Sequence, residues 1–253
     1  MHYSVCLNTI YPNMPAADAL NRVRAAGFSH YEFWGWWDRD LDALLEAQQA
    51  TGMQPVTFCT RMIPLTDPAR RDDYIAGLRE TAAVCKRLGS RTVITQVGSE
   101  LPGVPREAQH ASIVAGLKAC LPILREHNLT LVFEPLNTRV NHHDYYLWQS
   151  QEAFDIADEV GDEHVKVLLD LYHQAMMDDL DLDNILRHLD SIGHIHIAGT
   201  PNRQEPQDCA LDYPGMLSSI RNAGYAGTVG LEYKPARDAD EGLRKLHTLL
   251  CNA

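Results

Sequence analysis

The sequence has no run of about 18 consecutive apolar residues, so no segment of it reads as a bilayer-crossing helix. It also lacks positive charge: 22 Lys and Arg stand against 34 Asp and Glu, a formal net charge of −12. A surface of that sign repels phosphate backbones and argues against nucleic acid as a partner. The opening stretch Met1-His2-Tyr3-Ser4-Val5-Cys6 enters a strand-like pattern at once. It lacks the charged region and long apolar region of a secretory signal, so none is expected. The cysteines are Cys6, Cys59, Cys85, Cys120, Cys209 and Cys251, and no two have zinc-binding or redox-motif spacing. Reduced, mostly buried thiols in a cytoplasmic protein are the expectation. Pro- and Ser-rich linkers and low-complexity tracts are missing too, so residues 1–253 read as one domain.

What is present is alternation. Apolar runs of strand length lie at residues 2–8, 30–35, 54–60, 91–98, 129–137, 165–173, 194–199 and 227–235. Several are nearly continuous in Val, Ile, Leu and Phe, the pattern of strands buried on both faces of a parallel sheet. Helical spacing fills the gaps, as in Ala19, Val23 and Ala26, or Ile113, Leu117, Leu121 and Leu124. These helices are expected to stop at Gly27, Gly52, Gly89, Gly161, Gly193 and Gly224, since glycine takes the left-handed C′ conformation freely. Eight such units in 253 residues point to an α/β fold, a single (β/α)8 TIM barrel. An open doubly wound sheet would want a glycine-rich phosphate loop after the first strand. The loop here, Asn8-Thr9-Ile10-Tyr11-Pro12-Asn13, contains no glycine.

Active sites of such barrels lie at the C-terminal strand ends. Strand five ends in Phe133-Glu134-Pro135 and strand six in Leu169-Asp170-Leu171-Tyr172-His173. Strand seven holds His194-Ile195-His196, and strand eight ends in Leu231-Glu232-Tyr233. Singly, each has a bland reading. Glu134 can pair with Arg139, Glu232 with Lys234; Asp170 can cap a turn; one of the two histidines can be a barrel-interior residue. Jointly, four such groups behind apolar runs at one barrel mouth share their desolvation cost only if a cation sits among them. Three carboxylates and an imidazole suit Mg²⁺ or Mn²⁺, with Co²⁺ or Zn²⁺ possible because of the nitrogen. Such an ion polarises a carbonyl and acidifies the neighbouring C–H, and a glutamate then moves the proton through an enediolate.

These residues carry a resemblance. The stretches Glu32-Phe33-Trp34, Trp36-Trp37-Asp38, Glu134-Pro135-Leu136-Asn137-Thr138-Arg139, Leu169-Asp170-Leu171-Tyr172-His173-Gln174, His194-Ile195-His196-Ile197-Ala198-Gly199, Asn202-Arg203-Gln204-Glu205-Pro206 and Gly230-Leu231-Glu232-Tyr233 resemble the xylose-isomerase-like barrels, most closely their hydroxypyruvate-isomerase group. The resemblance implies an aldose–ketose type isomerase. It implies Glu134, Asp170, His196 and Glu232 as metal ligands, Glu134 and Glu232 as the proton-transferring pair, and His173 and Arg203 as holders of substrate oxygens. Two departures stand out. His196 matches the ketose epimerases, where some hydroxypyruvate and oxo-tetronate isomerases have glutamine. Gln207-Asp208-Cys209-Ala210-Leu211 replaces an acidic, glycine-containing stretch.

Gln96 is a candidate for hydrogen bonding to substrate, and Trp34 with Trp36 and Trp37 for a wall against a sugar face. Asn141-His142-His143-Asp144 suggests a second metal site less strongly than a solvated loop. The acidic run 178–183 reads as a helix start rather than a calcium loop. The expected partner is a small carbohydrate or hydroxy-keto acid, with a homo-oligomer compatible. A ketose 3-epimerase uses the same two glutamates. A non-catalytic sugar-binding barrel is the alternative of another class, and a nuclease would need more metal ligands and a basic groove.

Overall fold

Nine strands, all parallel, make one sheet in the computed structural model of the chain, which describes residues 1–251; residues 252 and 253 and the side chain of Cys251 lie outside the described part. The strands are β1 (His2–Cys6), β2 (His30–Glu32), β3 (Gln54–Pro55), β4 (Thr57–Cys59), β5 (Thr92–Thr95), β6 (Thr130–Phe133), β7 (Val165–Asp170), β8 (Ile192–Ile197) and β9 (Thr228–Leu231). Their order is β3-β2-β1-β9-β8-β7-β6-β5-β4. β3 and β4 are halves of one stave broken at Val56. Backbone bonds across the break close the ring: Val56 N donates to Tyr31 O at 2.8 Å, Phe33 N to Thr57 O at 3.3 Å and Cys59 N to Trp34 O at 2.9 Å. The expected eight-stave barrel is the fold.

Helices wrap the ring: α1 (Leu7–Ile10), α2 (Ala16–Ala25), α3 (Leu41–Thr51), α4 (Arg71–Leu88), α5 (Arg106–His127), α6 (Ser150–Val160), α7 (Leu171–Met176), α8 (Leu182–Arg187), α9 (Tyr213–Asn222) and α10 (Ala239–Cys251). The apolar stripe of α5 is buried at Ile113, Leu117 and Leu124, with Leu121 packed at the edge of the same core. Each fully buried side chain of that size is worth about 1.5–3 kcal/mol over exposure. Among the described residues no helix is long and apolar enough to cross a membrane. Of the described cysteines, Cys6, Cys59, Cys85 and Cys120 are buried and Cys209 is half-buried.

Several sequence expectations need correction. Gly193 is no helix stop; it lies inside β8, where a Cβ would come within 2.7 Å of Val132 Cγ1. Its glycine serves close packing at the point where the β7–β8 register shifts. The strands are also shorter than the apolar runs, except β8, which matches its run in length but starts two residues earlier. Glu134 and Glu232 stand one residue past β6 and β9, and His173 belongs to the first turn of α7 rather than to β7.

Side chains alternate across a strand, so Leu168 shares the inner face with Asp170. There Cys59, Ile94, Val132 and Leu168 form a small apolar cluster. The opposite wall is polar: Ser4, Glu32, His194 and His196 are all buried. The candidate chemistry sits above the junction of these two halves.

Candidate active site and metal centre

Adjacent staves deliver the four expected ligands to one arc of the mouth. Glu134, Asp170, His196 and Glu232 are 5%, 0%, 3% and 6% exposed. One donor atom from each lies within 4.8 Å of all the others. The predicted quartet is therefore one cluster, and it can hold a metal ion. The donor chemistry fits that use: Glu134 Oε1 and His196 Nδ1 have no hydrogen-bond partner, although both are buried. Such orphaned groups are costly unless something coordinates them.

Asp170 serves two purposes. Its Oδ1 accepts from Tyr172 N at 2.8 Å and from His173 N at 3.4 Å, capping α7. Its Oδ2 faces the site, 3.3 Å from Arg203 Nη2 and 3.4 Å from His173 Nε2. The turn-capping reading and the ligand reading both hold, one oxygen each.

Arg203 supplies the positive charge. Its guanidinium donates to both Asp170 and Glu232 and lies over the Tyr172 ring at 5.3 Å from the centroid. Its backbone takes the left-handed conformation, φ +56°, rare for a residue with a long side chain. Lys234 N anchors it by donating to Arg203 O at 2.7 Å. The bland ion pairs do not form: Arg139 pairs with Asp178 at 2.5 Å, and Glu232 takes Arg203 in place of Lys234.

The electrostatics separate the two glutamates. Burial pushes the Glu134 carboxyl well above its usual range, against the pull of His196 and Arg203. Burial also raises Glu232, but the Arg203 and His196 charges and the bond from Trp34 outweigh it and hold Glu232 far below the usual range. Burial raises Asp170 as well. Burial opposes charge on His196, yet the Glu32 and Glu232 carboxylates lift it well above an ordinary histidine. His173 goes the other way, lowered by burial and by Arg203.

A cavity of about 200 Å³ opens over the cluster. Trp34, Gln96, His173 and Arg203, the expected substrate contacts, all line it together with Glu134, His196 and Glu232. Trp34 Nε1 donates to Glu232 Oε1 at 2.6 Å. Trp36 is turned away, bonded to Thr81 Oγ1 at 3.2 Å. His173 Nδ1 accepts from Asn137 N at 3.1 Å, which leaves Nε2 to face the site as the proton-bearing nitrogen. Sequence reasoning missed the apolar side of the cavity, Cys59, Met62, Ile94 and Leu136, and the place of His142, whose ring is 5.6 Å from that of His173. His143 is occupied elsewhere, 3.0 Å from Thr138 O. The two histidines therefore part company, and among the described residues the candidate metal clusters include neither. In the acidic run, Asp181 caps α8 while Asp179 accepts from Ser150, as a helix start requires.

The sequence profile of the xylose isomerase-like TIM barrel family matches residues 20–249. The chain belongs to that family. Within reach of the family, hydroxypyruvate isomerase of Escherichia coli (strain K12) is 25% identical over 258 residues, covering 96% of this chain and 97% of its own. A 2-oxo-tetronate isomerase of Cupriavidus necator is 28% identical, with 95% of each chain covered. Among solved structures, one described as an AP endonuclease, family 2, from Brucella melitensis superposes with a TM-score of 0.91 at 25% identity, over 98% of both chains.

Proposed function

We propose that this family member is a metal-dependent isomerase interconverting a small hydroxy-aldehyde and hydroxy-ketone by proton transfer through a cis-enediolate. A hydroxypyruvate-like keto acid or a short sugar is the substrate class. The observation that carries this reading is the meeting of Glu134, Asp170, His196 and Glu232 within 4.8 Å under a cavity of about 200 Å³.

Those four residues would hold one divalent ion, Mg²⁺ or Mn²⁺ by their oxygen-rich set, with Co²⁺ or Zn²⁺ accepted through the imidazole. Bound there, the ion would polarise a substrate carbonyl and make the adjacent C–H more acidic. Glu232 is the base, kept ionised by Arg203 and aimed by Trp34. It takes the proton and returns it to the neighbouring carbon, while the hydroxyl proton passes to the former carbonyl oxygen, which yields the isomer. His173 Nε2 and Arg203 hold substrate oxygens, and Gln96 adds a hydrogen bond at the rim. Ile94, Leu136 and Met62 exclude water on the remaining side.

A ketose 3-epimerase is the second reading, favoured by the histidine at position 196. In that case Glu134 delivers a proton from the other side and inverts the carbon.

An NMR screen of C3–C6 hydroxy-keto acids and ketoses with Mn²⁺ or Mg²⁺ tests both. Interconversion of a 2-hydroxy-ketone with its aldehyde supports the isomerase, and inversion at one carbon the epimerase. Binding without turnover on every compound would leave a sugar-binding barrel.

A further inference from the structure

Beneath the quartet, Glu32 is 2% exposed and has no place in the proposed chemistry. Its Oε2 accepts from Ser4 Oγ at 2.9 Å and lies 3.0 Å from His194 Nε2. Its Oε1 lies 3.0 Å from His196 Nε2. The other ring nitrogen, His196 Nδ1, faces Glu232 Oε2 at 3.2 Å and Glu134 Oε1 at 3.9 Å. One imidazole thus joins a carboxylate inside the barrel to the ligand cluster at its mouth.

Space for this arrangement comes from Gly230, which pairs with Ser4 on one side and His196 on the other. A Cβ there would fall 2.4 Å from Glu32 Oε1 and 2.5 Å from His196 Cδ2. Any side chain at this position would push the carboxylate and the ring apart.

We propose that Glu32 is a positioning residue for His196. Its Oε1 lies 3.0 Å from Nε2, and both atoms are buried and otherwise without a hydrogen-bond partner, so the carboxylate is placed to take the Nε2 proton, fixing the ring with Nδ1 aimed at Glu134 and Glu232. Ser4 and His194 hold Oε2 in place, so that Oε1 has only His196 to face. Glu32, His194 and His196 also lie close enough to hold a cation as a trio. Two donors already on Oε2 favour the positioning role. Buried carboxylates behind ligating histidines fix tautomer and orientation in this way, and their loss typically lowers metal affinity 10–100-fold. The consequence for metal binding rests on the reading of His196 as a ligand; the orientation of the ring does not.

The test therefore has two readouts. In ¹⁵N-edited NMR, wild-type His196 should show a solvent-protected Nε2–H both metal-free and with Mg²⁺, and Glu32→Ala should lose it. In calorimetric titration with Mn²⁺ alone, Glu32→Ala should bind roughly 10–100-fold more weakly, and Glu32→Gln, which keeps an oxygen acceptor, should recover most of the loss. An unprotonated Nε2 in the wild type, or wild-type affinity in Glu32→Ala, overturns the proposal. If Glu32→Ala does not fold, Ser4→Ala replaces it; faster exchange of that proton is expected, and unchanged exchange counts against the role. Wild-type protein that shows the protected proton but binds no Mn²⁺ defeats the metal reading while upholding the Glu32–His196 arrangement.

Discussion

Trp34 Nε1 donates to Glu232 Oε1 at 2.6 Å although 198 positions of chain separate the two residues. The indole is 40% exposed, so its outer face walls the cavity while its inner edge grips the carboxylate. Arg203 holds the other oxygen of the same group. In the proposed role as base, a carboxylate restrained at both oxygens loses little entropy on reaching toward a carbon. Trp34→Phe keeps the wall and removes the donor. It should lower kcat roughly tenfold, about 1.4 kcal/mol, with the melting temperature unchanged. A wild-type kcat would reduce Trp34 to a wall alone.

Glutamine is nearly isosteric with glutamate, so Glu134→Gln and Glu232→Gln remove charge with little change of shape. Each should cut turnover by about 10²–10⁴-fold while the circular dichroism spectrum is preserved. A variant that turns over at the wild-type rate leaves the mechanism without that residue.

Three carboxylates with donor atoms within 4.8 Å of one another repel when all are ionised, and the His196 imidazole and Arg203 guanidinium offset this only in part. Metal should therefore stabilise the native state. At a free concentration 100 times its dissociation constant the gain is about 2.7 kcal/mol, a rise of roughly 5–10 °C in melting temperature for a chain of this size. Chelation should abolish turnover and reverse the shift, and Mn²⁺ or Mg²⁺ should restore both. Calorimetric scans with and without the ion, showing identical melting, would remove the cluster from metal binding.

The three carboxylates were legible because each follows an apolar run, His196 because it sits in the next stave beside them, and the parallel barrel brings such strand ends to one rim. Asp170 and Glu232 needed no knowledge of distant contacts. Glu32 did: its partners Ser4 and His194 lie 28 and 162 residues away, and only barrel closure brings them together. It carried a local signal, a carboxylate behind His30-Tyr31, but nothing to separate it from an edge ion pair. Gly193 was misread for a related reason. Glycine after a helix usually marks its stop, whereas here the crowding comes from Val132 on another strand. Strand-to-helix boundaries such as Asp170-Leu171 also escape, because apolar residues continue on both sides of the cap.

At the opposite end of the barrel, His30 offers a pH dependence free of the site. Its ring lies 5.3 Å from that of His2, and its pKa is lowered by burial first and by His2 second. A histidine that resists protonation when folded takes its proton more readily when unfolded. This contribution to stability is therefore intact above the unfolded pKa near 6.5 and falls as pH drops below it. The effect is small, since His30 is only half-buried. The melting temperature of wild type should fall more than that of His30→Gln between pH 7.5 and 5.5. Parallel curves would show that His30 titrates alike in both states.

Proton transfer and hydride shift differ in what solvent leaves in the product. Glu232 is 6% exposed, so a proton taken up in its proposed role as base would be shielded during a single turnover. In D₂O the first product molecules should then carry partial deuterium, at the carbon that received the proton. Shielding slows exchange without preventing it, because the cavity empties between turnovers and the carboxyl meets solvent. Label should accumulate as substrate and product interconvert, and NMR should place it on one carbon for an isomerase. Glu232→Gln should suppress incorporation in step with turnover, which ties the exchange to that carboxylate rather than to solution enolisation. Complete retention of protium after many turnovers would mean that hydrogen passes directly between carbons. No role would then remain for Glu232 as a base.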